Sequence, residues 1–118
     1  MRRILMVVAM TAVAALALAQ QPKEYSAAEA AKHVGEEATI TDVVTGVHQS
    51  RAGHIFLNMG GKYPNQAFTA FVPKDSADQF PNAKEFDGHR VAITGKIVLY
   101  RGKPEIVLDD QSMLKVSR

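Results

Sequence analysis

The sequence predicts an all-β domain with a short N-terminal helix, its five strands closing into a small barrel with a helical connection between strands 3 and 4. Three observations carry this. A long stretch from Glu37 has a period of two and many β-branched residues, and a second begins at His89. Between them, Lys74 to Phe86 lacks β pattern and divides three strand-like segments from two.

The chain opens with Arg2 and Arg3, continues through the predominantly apolar stretch Ile4 to Leu18, and carries Ala17-Leu18-Ala19 before the polar Gln20. That is the three-part form of a secretory signal peptide, with cleavage expected after Ala19 and a periplasmic or secreted destination. An uncleaved anchor is the alternative, but about 15 residues fall short of the roughly 18–20 that span a bilayer, so no stable membrane insertion is expected after cleavage. No cysteine is present to be acylated, paired or used as a thiolate.

The 14 Lys and Arg against 12 Asp and Glu give a net charge of +2, which Arg2 and Arg3 supply. The cleaved chain is therefore near neutral, and a polyanion partner has to be argued from a local patch.

Residues 20–25 read as a flexible leader and residues 26–118 as a single domain with one modest core. Ser26-Ala27-Ala28-Glu29 has the form of a capping box, and Gly35 suits the position after a helix, so a helix is expected from Ala27 to Val34. The first strand runs from Glu37 through Val47, with a bulge expected at Gly46. Gln49 to Gly53 has turn chemistry, and His54 to Met59 returns the chain. Gly60 to Asn65 breaks the ladder, and Ala67 to Val72 makes a third strand that Pro73 stops. A helical turn is expected around Ser76 to Phe80. Asp87-Gly88 turns into a long strand from His89 to Tyr100, with Gly95 a second bulge candidate, and Arg101-Gly102-Lys103 turns the chain into Pro104 to Leu108. Five strands with a connecting helix after the third suit a barrel that manages its own edges; a plain five-stranded meander is the structural alternative.

Val43-Val44-Thr45-Gly46-Val47, Ile55-Phe56-Leu57-Asn58 and Gly88 to Ile97 resemble the nucleic-acid-binding OB-fold superfamily of the tRNA-anticodon-binding type. Tyr100 to Leu108, with Gly60 to Pro64, is similar more particularly to small exported bacterial OB-fold proteins. The resemblance covers about Glu37 to Val116. It implies a fold far more than a ligand, since these motifs are mostly barrel scaffolding.

OB folds bind oligomers on the face of strands 2 and 3, flanked by the loops joining strands 1 to 2 and 4 to 5. Here those loops carry Arg51, and Arg101 with Lys103. These cations are candidates for phosphate contact, with Tyr63, Tyr100 and Phe56 or Phe71 as stacking surfaces; the plainer reading makes them solvated turn residues and core. His48 and His54 flank the first hairpin turn and are expected opposite one another, but two imidazoles without further ligands do not complete a metal site, and Asp109-Asp110 alone lacks the oxygens calcium needs. Gly60-Gly61-Lys62 lacks the spacing of a phosphate loop. No nucleophile beside a base and no paired carboxylates are apparent, and the acidic ligands and arginines of staphylococcal-type nucleases have no counterpart. The reading is a binding module, not an enzyme, with no cofactor and no metal. Its partner is a single-stranded nucleic acid or another anionic polymer; a protein-interaction or envelope-stress module is the alternative.

Overall fold

The computed structural model describes residues 22–117, so the expected signal peptide and its expected cleavage point lie outside the described residues. Among the described residues eight strands form: β1 (Lys23–Tyr25), β2 (Glu37–Gln49), β3 (Ile55–Met59), β4 (Phe68–Val72), β5 (Arg90–Lys96), β6 (Val98–Tyr100), β7 (Lys103–Val107) and β8 (Leu114–Val116). Among the described residues no helix is long and apolar enough to cross a membrane.

The strands are hydrogen-bonded in the order β6-β7-β4-β3-β2-β5-β8, with β1 added to β2. β2 organises the whole. Its first half pairs antiparallel with β5, from Glu37 with Lys96 to Val43 with Arg90, and its second half pairs antiparallel with β3. Between the halves the register shifts from Val44 to Gly46, the bulge predicted at the glycine, which lets one strand serve two sections of sheet. β4 and β7 pair in parallel, Thr69 with Glu105 and Phe71 with Val107, so the fifth long segment lies beside the third.

Inward residues alternate along each strand. Ile40, Val44, Leu57, Met59, Phe68, Ala70, Val91, Ile93 and Ile106 are all fully buried. Gly95 marks how closely the two sections approach, because a Cβ there would lie 2.8 Å from Ile106 Cγ2 and 2.9 Å from Met113 Cε. The bulge expected at Gly95 is absent: its pairing with Ala38 is in register, and the interruption falls at Ile97, between β5 and β6. Gly95 is thus needed for clearance and not for bending.

Three further expectations change. The leader carries β1, whose Lys23, Glu24 and Tyr25 pair in parallel with Ala38, Thr39 and Ile40. A short polar segment gives no periodicity, so only the unpaired edge of β2 reveals it. The expected helix Ala27 to Val34 is a 3-10 helix over Ala27–Lys32. Glu29 accepts from the Ser26 amide at 2.9 Å, as the capping box implies, and Asp42 on β2 accepts from the Ala27 amide at 3.0 Å. Ala27 and Ala30 are buried against the sheet. Finally, the sheet holds eight strands and not five, with β6 and β8 ending the path. The helical connection after the third long strand consists of 3-10 helices at Lys74–Gln79 and Ala83–Phe86.

Candidate nucleic-acid interface

Because side chains alternate across a strand, the residues between the buried positions of β3 and β4 face outward. In β3 these are Phe56 and Asn58; in β4, Thr69 and Phe71. Cross-strand pairing aligns them into two rows. His48, Phe56, Phe71 and Val107 form one row, and Gly46, Asn58, Thr69 and Glu105 the next.

The first row is aromatic. Phe56 and Phe71 are half-buried with ring centroids 5.2 Å apart at an interplanar angle of 53°. His48 stacks on Phe56 at 5.9 Å and His54 lies against Phe71 at 5.3 Å. Four rings thus form a continuous patch in the middle of the sheet, with Val107 beside it, 37% exposed.

The two histidines are not opposite one another, as the symmetric reading of the turn expected. His48 pairs with Phe56, and Ser50 closes the hairpin against His54. Ser50 N–H donates to the His54 carbonyl at 2.9 Å, and His54 N–H donates to Ser50 Oγ at 3.1 Å. His54 Nδ1 accepts from the Lys74 amide at 3.0 Å, so its own proton sits on Nε2. Among the described residues no three or more His, Asp or Glu side chains cluster as metal ligands would.

The second row is polar and largely covered. Thr69 Oγ1 donates to Asn58 Oδ1 at 3.0 Å and accepts from Gln66 Nε2 at 3.2 Å, while the buried Gln66 Oε1 has no partner. Glu105 is half-buried, and that burial pushes its carboxyl above the usual range.

The predicted cations lie at opposite ends of this face. Arg51 sits in the β2–β3 turn, at the end of the sheet where β3 begins and β4 ends. Arg101 and Lys103 belong to the β6–β7 hairpin, at the end where β4 begins. Arg101 Cζ lies 5.3 Å from the centre of the Tyr100 ring, a cation–π arrangement, and Tyr100 is 54% exposed. Lys103 is committed locally: its Nζ donates to the carbonyls of Pro64 at 2.7 Å and Gln66 at 3.0 Å, fastening the β3–β4 loop to the hairpin. Tyr63, next to Pro64 in that loop, is 76% exposed.

Sequence reasoning singled out Phe56 and left Phe71 undecided, and it missed Glu105. Phe68–Val72 is apolar on both faces apart from Thr69, so its period is silent; only the alternation with buried Ala70 and Val72 reveals Phe71. A concave depression of about 520 Å³ opens elsewhere, between the β2–β3 hairpin and the 3-10 connection. Its charged lining residues Asp78, Lys84 and Glu85 are all exposed, so it gathers no convergent polar groups. The outer face is shallower but carries the more specific chemistry, since stacking needs a surface and not a cavity.

No protein family and no curated protein matches the sequence. Solved structures do. A protein assigned as an aspartyl-tRNA synthetase from Leishmania major Friedlin matches with a TM-score of 0.53 and 9% identity, over 82% of this chain and 21% of that chain. This chain therefore spans about a fifth of the synthetase's length. The OBody AM1L10, in complex with hen egg-white lysozyme, matches with a TM-score of 0.57 and 14% identity, over 82% of this chain and 95% of that chain. A protein assigned as a nucleic acid-binding lipoprotein from Klebsiella pneumoniae has a TM-score of 0.48 and 14% identity, over 89% and 97% of the two chains. At these identities what the chain shares with the first two is a fold, an OB-like β architecture.

Proposed function

We propose that the protein is an exported, non-enzymatic OB-fold module that holds a single-stranded nucleic acid across the outer face of β2, β3, β4 and β7. The observation that carries this reading is the outward Phe56–Phe71 pair, in mid-sheet, with a cationic turn at each end. In the OB reading, β2 to β4, the β5–β6 segment and β7 are the five barrel strands, and the patch falls where such folds take oligomers. A synthetase for tRNA among the structures sharing the fold supports it. Export rests on Arg2, Arg3, the apolar stretch Ile4 to Leu18 and Ala17-Leu18-Ala19.

On this reading, bases stack on Phe56 and Phe71, while Arg51 at one end and Arg101 at the other meet phosphates. Lys103 contributes charge and holds the loop that presents Tyr63. The test is a fluorescence-anisotropy titration of the chain from Gln20 onward with a labelled single-stranded oligonucleotide. Two or three phosphate contacts to a single strand weaken binding about tenfold between roughly 50 and 200 mM salt. Loss of binding in Arg51→Ala with Arg101→Ala is the matching expectation. Absence of binding at low salt overturns the reading and turns the search to a protein partner, the kind of ligand the OBody holds in lysozyme.

A further inference from the structure

The aromatic patch is bordered by ionisable groups that share its face. From β2 comes His48, exposed and stacked on Phe56. The β2–β3 turn contributes Arg51 and His54, and Lys74 follows β4 beside that turn. From β7 comes Glu105, one row over, paired with Thr69 and flanked inward by buried Pro104 and Ile106. Tyr100 and Lys103 face the hairpin end, while β3 and β4 supply only uncharged side chains: Phe56, Asn58, Thr69 and Phe71. Arginine, lysine and tyrosine hold their charge state between mildly acidic and mildly alkaline pH.

We infer that this face takes up protons as it takes an anionic strand, His48 gaining charge and Glu105 losing it, so that binding tightens in mild acid. The inference rests on the strand-binding reading above and specifies how that site is regulated.

An anion laid along the aromatic row lies beside His48 on one flank and one residue row from Glu105 on the other. A phosphate near an imidazole favours the imidazolium over the neutral ring. A phosphate near a carboxylate favours the neutral acid, and burial already pushes the Glu105 carboxyl in that direction. Both sites therefore bind a proton more readily with the ligand in place, and by linkage the ligand binds more readily where protons are abundant. His54 stands apart, because a second proton would have to displace the Lys74 amide from Nδ1. It presents an Nε2–H donor beside Phe71.

The experiment measures the affinity of the chain from Gln20 onward for labelled oligothymidylate at constant ionic strength, from about pH 8 to about pH 5.5. Thymine itself carries no group that titrates in this window. Wild type is expected to bind roughly three- to tenfold tighter at the acidic end, a coupling of ordinary size between two bound species. His48→Gln loses most of the gain around neutrality, and Glu105→Gln binds tighter than wild type at the alkaline end. Both substitutions lie outside the core, and circular dichroism at each pH checks the fold. Binding that does not vary with pH, or that varies equally in wild type and both variants, overturns the inference while leaving strand binding intact. No binding at any pH overturns both.

Discussion

Lys103 Nζ donates to the Pro64 carbonyl at 2.7 Å, tying the β6–β7 hairpin to a loop nearly 40 residues earlier in the chain. With its second bond, to the Gln66 carbonyl at 3.0 Å, the ammonium closes the end of the sheet where the covered Asn58–Thr69 row lies. A cation satisfying two carbonyls is a fastening, and its removal frees the loop.

Lys103→Met keeps the apolar stem but discards the donor. Charge-assisted hydrogen bonds contribute more than neutral ones, and at this half-buried position the loss is expected to be about 1–2 kcal/mol. Urea denaturation measures it. Amide exchange of Asn65 and Ala67, which donate to Lys62 and Met59, should rise selectively if the loop is what loosens.

Two glycines that the sequence marks as bulge candidates should respond unequally to alanine. At Gly95 the new methyl would sit 2.8 Å from Ile106 Cγ2, inside a packed core, and overpacking of this kind costs about 1–3 kcal/mol. At Gly46 nothing lies within 4 Å, so alanine should leave the urea midpoint nearly unchanged.

That contrast indicates what the sequence could convey. Period and β-branching locate every long strand, because those patterns follow from which side of a strand meets water. Glycine in a strand signals only that something special occurs; whether it is a bend, as beside Val44, or a close approach, as against Ile106, depends on the other sheet section. β1 and β8 are three residues each and exist by pairing with β2 and β5, so local pattern cannot announce them. The hairpin register differs from the expected one because the turn closes at Ser50 and His54, which sets His48 beside Phe56. Of the site, the charged turns were legible and the aromatic row was half legible, since Phe71 follows an apolar residue and precedes another.

Phe71→Leu separates stacking from packing. Leucine retains apolar contact with Phe56 but has no π-face, and base–aromatic stacking contributes roughly 1–3 kcal/mol per base. Affinity for a single strand should fall about tenfold or more in the anisotropy titration, with the thermal midpoint little changed. Phe56→Leu should match it, and a variant carrying both should bind more weakly than either.

The amino-terminal strand is held by a cluster that responds to pH at both extremes. Tyr25 Oη donates to Glu36 Oε1 at 2.9 Å, His33 Nδ1 lies 2.9 Å from Glu36 Oε2, and the Tyr25 and His33 rings stack with centroids 3.6 Å apart. The bonds from His33 and Tyr25 hold the Glu36 carboxyl below its usual range, so its contribution to stability is complete above the unfolded value of about 4.3 and is lost as pH falls through the lower folded value. The Tyr25 hydroxyl is pushed upward, chiefly by its bond to Glu36, so its contribution is complete below about pH 10 and is lost as pH rises through the higher folded value, where a phenolate would face the carboxylate. Glu36→Gln removes the carboxylate from both equilibria. The difference in thermal midpoint between wild type and this variant should therefore be greatest between roughly pH 5 and 9 and shrink toward either side. Glu29 and Asp110, also held low, titrate alike in both proteins and cancel in the difference. A midpoint difference that stays constant across the whole range would mean that Glu36 acts through packing and not through its charge.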